Sequence, residues 1–233
     1  MDKKAVAIIT ARGGSKRIPR KNIKEFCGKP ILCYSIEAAL ASGAFDEVMV
    51  STEDQEIADI ALRTGARVPF LRSIEAADDY ASTDEVIAEV LVSYEKQGIH
   101  FSSFCCIYPT APFVTAKKLR TAMEMLSVAD SVMPVVAFSY PPQRCVIIEN
   151  GKLIRKYPEF AQSRSQDLET CYHDCGQFYA CRTEPFLAAG TTDVEHLVPM
   201  ILPEMEVQDI DTLEDFSIAE LKYKKMMGDA LHE

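Results

Sequence analysis

Residues 5–22 read AVAIITARGGSKRIPRKN, and the rest of the chain is organised around this stretch. An apolar, β-branched run short enough to be a buried strand ends at Thr10 and leads into a Gly-Gly loop. Six cations precede the next carboxylate, Glu25; they are Arg12, Lys16, Arg17, Arg20, Lys21 and Lys24. Because like charges repel one another, a folded domain that keeps such a cluster beside glycines usually places an anion there. We therefore interpret this stretch as a triphosphate-binding loop.

Beyond the loop, predicted helices alternate with predicted strands. The helices are predicted over 30–42, 54–64, 82–97, 116–127, 183–189 and 213–227. The strands are predicted over 5–10, 47–52, 66–70, 103–108, 131–137, 177–181 and 198–202. The strands are apolar throughout, which is typical of a parallel sheet covered on both faces. The sequence thus predicts a doubly wound α/β fold with a mainly parallel sheet, and a ligand site beyond the carboxyl ends of its strands.

Residues 140–175 interrupt this alternation. They contain Pro141-Pro142 and a predicted β-hairpin around Asn150-Gly151, followed by a polar stretch. A segment of about 35 residues can hardly hold a core of its own. We therefore expect it to be an arm inserted into one α/β domain made of residues 1–139 and 176–233, and such arms commonly pack on a second subunit.

The composition and net charge argue against several classes of partner and indicate the state of the cysteines. The chain has 233 residues and a formal net charge of −10, which argues against a nucleic-acid partner because that role needs many cations. The apolar run near the N-terminus is too short for a signal peptide or a membrane span, so we expect no membrane association and a cytoplasmic location. The eight cysteines include no Cys-x-x-Cys pair and are expected to be reduced thiols that fill core space.

Asp209 and Asp211 form a second candidate site. Residues two apart in an extended segment point to the same side, so both carboxylates can face one cation while Ile210 faces the core. Mg²⁺ binds one or two carboxylates and completes its shell with water and substrate phosphates. The same pair could instead cap the helix predicted to begin at residue 213.

Polar residues near two other predicted strands form a third candidate site. In Tyr108-Pro109-Thr110-Ala111-Pro112, the two prolines fix the backbone and expose Thr110 at the ligand edge, although the segment could also be a plain strand-ending turn. The stretches 164–168 (RSQDL) and 172–178 (YHDCGQF) are rich in hydrogen-bonding groups, which suit a polyhydroxylated, acidic ligand. His173 could bind a carboxylate or act as a base, or could be structural.

With these motifs, the chain resembles the CMP-sialic acid synthetase family of cytidylyltransferases, which activate nine-carbon keto sugar acids with CTP. The resemblance lies in residues 11–22, 50–54, 79–84 and 209–211 and extends over most of the chain. It implies the nucleotide-diphospho-sugar transferase-like fold, CTP as partner and Mg²⁺ as cofactor on Asp209 and Asp211. The nucleotide-binding residues that it implies are Ala11, Arg12, Gly13, Ser15, Lys16, Lys21, Asn22 and Ser82. The expected catalytic residues are Arg12, Lys21 and Asp211.

The chain departs from the typical family pattern on the sugar-acid side. Tyr108 stands where typical members have glutamine, and 173–176 read HDCG where they have Arg-Pro-Asn-Gly. The altered segments are similar to the branch that activates pseudaminic acid for bacterial surface and flagellar glycans. We expect the sugar acid to contact Tyr108, Thr110, Arg164, His173, Asp174, Gln177 and Phe178.

The resemblance also implies a homodimer, because the arm is similar to the element that joins two subunits in the family. N-acetylneuraminic, legionaminic and 3-deoxy-octulosonic acids remain alternative acceptors. A non-catalytic module that binds a nucleotide sugar remains an alternative function.

Overall fold

The computed structural model describes residues 2–73, 76 and 81–229, so the first two residues of the 79–84 motif lie outside the described residues. The strands are β1 (Asp2–Thr10), β2 (Glu25–Phe26), β3 (Lys29–Pro30), β4 (Glu47–Ser51), β5 (His100–Ile107), β6 (Ser131–Ala137), β7 (Val146–Glu149), β8 (Lys152–Arg155), β9 (Tyr172–Asp174), β10 (Phe178–Arg182) and β11 (Leu197–Ile201). The α-helices are α1 (Ile31–Ser42), α2 (Gln55–Thr64), α3 (Thr83–Glu95), α4 (Ala116–Met125), α5 (Thr183–Ala189) and α6 (Leu213–Asp229).

A seven-stranded sheet lies at the centre, in the order β11-β6-β10-β5-β1-β4, with β9 paired to β6. Strands β4, β1, β5, β6 and β11 run in one direction, whereas β10 and β9 run antiparallel to their neighbours. The predicted α/β fold with a mainly parallel sheet is confirmed. Since the parallel strands end at one edge, the loops after β1, β4 and β5 meet there.

The two faces of β1 show why its sequence is apolar throughout. Ala7 and Ile9 pack into one core layer with residues of α1, α2 and α4, whereas Val6 and Ile8 pack into the other with α3 and Phe186 of α5. All four β1 side chains are fully buried. A strand covered on both faces needs an apolar residue at every position rather than at every second one.

Helix α3 begins where its capping signal predicts. The Ser82 hydroxyl accepts a hydrogen bond from the Glu85 backbone N–H (3.2 Å), and the Glu85 carboxylate accepts one from the Ser82 N–H (2.7 Å). This capping box supplies partners for two backbone donors that the first turn of a helix leaves without one.

The strand predicted over 66–70 is wrong. Only Arg67 forms a bridge to Met49, with its N–H donating to Val48 and its carbonyl accepting from Val50 (2.9 Å each). The next ladder bond would need the N–H of residue 69, and Pro69 has none. Two further elements were not predicted as strands: the polar residues of β9, and the short β2–β3 hairpin.

The arm contains the predicted hairpin, β7 paired with β8. All eight hairpin residues are exposed, and Ile148 and Leu153 keep 76% and 72% of their surface in solvent.

All eight cysteines are free thiols, and five of them are buried as predicted: Cys33, Cys105, Cys106, Cys175 and Cys181. Within the described residues, no helix combines the length and apolar character needed to span a bilayer.

Candidate active site

The basic loop leaves β1 at the carboxyl edge of the sheet and is held there by neighbouring backbone. The Ala11 N–H donates to the Ser51 carbonyl (3.0 Å), which extends the pairing with β4 by one residue. The buried Asn22 amide donates to the Arg12 carbonyl (2.8 Å) and so closes the loop across ten residues. The Gly13 N–H donates to the Glu53 carboxylate (2.6 Å).

Gly13 has a steric reason to be glycine. A Cβ at this position would lie 2.5 Å from Asp54 Oδ2 and 3.0 Å from Asp54 Cβ. At Gly14, by contrast, an added Cβ would meet nothing within 4 Å. The close approach between the loop and Asp54 therefore depends on the first glycine alone.

The six cations of the loop do not act as one cluster. Arg20 forms ion pairs with Asp54 and Glu56 at the start of α2, and its hydrogen bond lowers the pKa of the Asp54 carboxyl. Lys24 lies over the ring of Phe216 in α6, 5.5 Å from the ring centroid. These two side chains hold the loop to its supporting helices. The other four line a cleft: Arg12, Lys16, Arg17 and Lys21.

The aspartate pair lies directly against this loop, although 189 residues separate Lys21 from Ile210. Lys21 Nζ donates to the Ile210 carbonyl (2.6 Å) and lies 3.7 Å from Asp211 Oδ1. Arg17 forms an ion pair of 2.6 Å with the other oxygen of Asp211. The Ile210 side chain is buried in the core with Ile18, which is the inward orientation that the alternation predicts.

The capping role at α6 belongs to other residues. The Thr212 hydroxyl accepts from the Asp215 N–H (3.2 Å), and Asp215 Oδ2 accepts from the Thr212 N–H (2.8 Å). Since Thr212 and Asp215 satisfy the start of the helix, the carboxylates of Asp209 and Asp211 are not needed as caps.

The electrostatics of the pair fit a divalent cation. Partial removal from water, followed by the negative charge of Asp211, raises the pKa of Asp209. Burial lowers the pKa of Lys21, and the charge of Asp211 opposes that change. A cation between the carboxylates would offset their repulsion, and oxygen ligands are those that Mg²⁺ prefers. No group of three or more metal-ligating side chains was found within the described residues, so phosphate and water would complete the shell.

The cleft has a volume of about 550 Å³. Its walls come from the basic loop, the start of α3 and the end of β5. The remaining residues that line it are Thr10, Ser15, Asn22, Arg72, Ala76, Ala81, Ser82, Thr83, Val86, Tyr108, Pro109 and Thr110. Among the described residues of the lining there is no carboxylate and no histidine. The described lining is therefore positively charged, with hydroxyl and amide groups beside the cations.

Arg72 is a functional candidate that the sequence analysis missed. Its side chain is almost fully buried, and it donates to the Ser51 hydroxyl (3.0 Å) and the Ser51 carbonyl (2.7 Å). Burial lowers the pKa of this guanidinium. The sequence offered one signal for Arg72, its position just after the short apolar segment 66–70. Residues that directly follow a strand of a parallel sheet lie at the ligand edge.

Among the residues predicted to contact the sugar acid, Tyr108 is joined to Asp174 through Tyr179. The Tyr108 hydroxyl lies 3.2 Å from the Thr83 hydroxyl, and its ring packs edge-on against Tyr179 (5.7 Å between centroids). The Tyr179 hydroxyl in turn donates to Asp174. His173 packs against Phe138 (4.7 Å), and its Nδ1 donates to the Asp174 carbonyl (2.8 Å).

Tyr108 and Thr110 line the cleft, whereas the other five predicted sugar-acid contacts do not; these are Arg164, His173, Asp174, Gln177 and Phe178. Arg164 is in the arm, where it forms an ion pair of 2.8 Å with Asp167. Phe178 is fully buried in the core, and Gln177 is 2% exposed. The side chains of Phe178 and Gln177 therefore offer no surface to a ligand in this arrangement.

The fold is shared with known nucleotidyltransferases. The chain is similar to the solved structure of CMP:2-keto-3-deoxy-manno-octonic acid synthetase complexed with CTP, with a TM-score of 0.68, 17% identity, and coverage of 96% of this chain and 99% of that one. This likeness shows that the chain has the same α/β fold. Residues 6–179 match the family model described as cytidylyltransferase. The chain belongs to the cytidylyltransferase family.

Curated relatives match almost the whole chain. It is 41% identical to the pseudaminic acid cytidylyltransferase of Campylobacter jejuni, over 95% of this chain and 97% of the relative. It is 34% identical to the CMP-N,N'-diacetyllegionaminic acid synthase of Legionella pneumophila, over 92% of this chain and 94% of the relative.

Proposed function

We propose that this protein transfers CMP from CTP to the anomeric hydroxyl of pseudaminic acid and releases pyrophosphate. The observation that supports the reaction is the meeting of the basic loop with Asp209 and Asp211 through Lys21. The acceptor is supported by the 41% identity to the C. jejuni relative of that name.

The main role of the cations in the cleft would be to stabilise negative charge in the transition state. In the reaction, the acceptor oxygen forms a bond to the α-phosphorus while the bond from the α-phosphorus to the bridging oxygen of pyrophosphate breaks. Negative charge builds on the phosphate oxygens, and Arg12, Lys16 and Lys21 are placed to neutralise it. A Mg²⁺ ion held by Asp209 and Asp211 would supply further positive charge and lower the pKa of a coordinated hydroxyl.

The acceptor would enter from the Tyr108 side of the cleft. Burial raises the pKa of the Tyr108 hydroxyl, so this group stays protonated at neutral pH and can donate a hydrogen bond. Arg164 and His173 would assist from the arm and β9. The product, a CMP-activated sugar acid, is a donor for glycosyl transfer, and we infer a cytoplasmic role in supplying surface or flagellar glycans.

We also propose a homodimer in which the arm packs on the second subunit. The support is the exposed apolar hairpin, since large side chains such as Ile148 and Leu153 rarely stay in solvent when they form a contiguous patch.

A panel of acceptors tests the function. The purified protein is incubated with CTP, Mg²⁺ and one of four acids: pseudaminic, N-acetylneuraminic, legionaminic or 3-deoxy-octulosonic acid. Mass spectrometry identifies the product and a coupled assay measures pyrophosphate. We expect the highest kcat/KM with pseudaminic acid. A preference for another acid would correct the acceptor.

The same experiment separates the enzyme from a binding module. If calorimetry showed CTP binding but no acid gave pyrophosphate, the protein would be a non-catalytic nucleotide-binding module and the proposed reaction would be wrong.

A further inference from the structure

The segment that carries Asp209 and Asp211 begins as a short 3-10 turn, Glu204–Glu206, and has no strand to hold it. Several side chains hold it: Lys222 donates to the Val207 carbonyl (2.8 Å), Lys21 donates to the Ile210 carbonyl (2.6 Å), and Glu206 attaches it to α4. The Glu206 carboxylate forms an ion pair with Lys118 of α4 (2.7 Å), and Lys118 Nζ also donates to the Phe113 carbonyl (2.9 Å). The Lys118 side chain is only 10% exposed, so water screens this pair weakly.

Gln177 attaches the same segment from the other side. Its side-chain Nε2 donates to the Glu206 carbonyl (2.7 Å), three residues before Asp209. Its backbone carbonyl accepts from the Tyr108 N–H (2.9 Å). One buried residue thus links the aspartate segment to the end of β5, where the predicted acceptor contact lies.

The oxygen of the Gln177 side-chain amide does not explain why glutamine stands at position 177. Gln177 Oε1 is buried and has no hydrogen-bond partner within the described part of the chain. A buried polar atom without a partner is unfavourable, so the Oε1 half of the amide adds nothing to the stability of the fold. Glutamine provides the side-chain N–H that holds the Glu206 carbonyl, and an apolar residue has no such donor.

We propose that Gln177 is a positioning residue that sets the placement of Asp209 and Asp211 relative to Tyr108, with Lys118 and Glu206 as the opposite support. This inference rests on the proposed function. It replaces the expected direct contact between Gln177 and the sugar acid. Gln177 acts through the aspartate segment, so its removal disturbs the metal and the acceptor more than the nucleotide base.

The test compares Gln177→Met with Gln143→Met. Both glutamines donate Nε2 to a backbone carbonyl and bury an Oε1 without a partner among the described residues, but Gln143 lies in the arm and bonds to Glu169. Binding of Mn²⁺ to the protein with CTP is followed by electron paramagnetic resonance. We expect Gln177→Met to weaken Mn²⁺ binding about tenfold, as removal of outer-shell support typically does. Each variant leaves one backbone carbonyl without its side-chain donor, so the midpoint of thermal unfolding should fall by a similar amount in both. Gln143→Met should nevertheless bind Mn²⁺ as the wild type does.

Lys118→Met provides the second variant, because it removes the opposite support without touching Gln177. It should weaken Mn²⁺ binding in the same direction. In steady-state assays Gln177→Met should lower kcat and raise the KM for the acid, with the KM for CTP nearly unchanged. Wild-type Mn²⁺ affinity in Gln177→Met, or a loss of thermal stability with unchanged Mn²⁺ affinity, would overturn the inference. The Mn²⁺ comparison needs no acceptor, so a wild-type protein inactive on every acid would refute the proposed function separately.

Discussion

The ammonium group of Lys21 donates a hydrogen bond of 2.6 Å to the backbone carbonyl of Ile210. Ile210 lies between the two aspartates, so one cation of the basic loop is bonded to the backbone of the acidic segment. The basic loop and the aspartate segment are therefore joined directly, so a substitution in either segment should also change the position of the other.

Lys21→Met should lower kcat/KM by about 100-fold, because it removes a preorganised cation from the region where charge develops. Pyrophosphate release measures the effect. Lys24→Met is the matched control, since Lys24 belongs to the same loop but lies over Phe216. Equal losses in the two variants would show that the loop acts only through its overall charge.

Gly13→Ala should weaken CTP binding, whereas Gly14→Ala should not. The new methyl at residue 13 would lie 2.5 Å from Asp54 Oδ2 and push the loop away from Asp54, while residue 14 has open space. A misplacement of about 1 Å can cost on the order of 100-fold in activity. Calorimetry with CTP measures both variants. If Gly14→Ala were the more damaging, the second glycine would have to face the nucleotide directly.

Removal of metal with a chelator should abolish turnover, and added Mg²⁺ should restore it. Asp209→Asn and Asp211→Asn should each lower kcat by about 10- to 100-fold or more, because each removes a charged ligand. Circular dichroism should show a retained fold. Glu214→Gln, an exposed neighbour in the first turn of α6, is the control and should keep wild-type turnover. Full activity in chelator would contradict the metal assignment.

Tyr94→Phe should destabilise the fold without touching the cleft. The Tyr94 hydroxyl donates to the buried Glu47 carboxylate, whose other oxygen pairs with Arg67 (3.2 Å). Loss of the donor removes one hydrogen bond from a buried carboxylate, at a cost of about 1–3 kcal/mol in the free energy of unfolding. Urea denaturation measures this cost. Tyr140→Phe, at a residue that is 86% exposed, should change stability by less than about 0.5 kcal/mol.

The double variant Ile148→Asp, Leu153→Asp should convert a dimer into a monomer. Charges on this exposed hairpin would oppose burial against a second subunit, while the isolated subunit would lose little stability. Light scattering measures the mass. Leu187→Asp, at an exposed residue of α5, should leave the dimer intact. A wild-type protein that is a monomer at micromolar concentration would rule out the arm as a stable interface.

Much of the site could be predicted from the sequence because its parts are local. The basic loop follows its strand directly, and the Asp209-Ile210-Asp211 alternation is a property of three neighbouring residues. One local signal argued against a predicted element, since Pro69 by itself prevents the strand predicted over 66–70. The capping alternative for the aspartates could not be decided locally, because Thr212 and Asp215 offer the same chemistry a few residues later.

The doubly wound sheet and the residue types at its ligand edge can be predicted from the sequence, because apolar runs and glycine loops have conformational preferences that act within a few residues. The contacts that those residues make depend on the tertiary structure. It paired Arg20 with Asp54, brought Arg72 into the cleft and turned Gln177 away from it. These outcomes depend on which strands lie side by side, and hydrogen bonds and ion pairs across such distances in sequence form only once the packed sheet has brought their partners together.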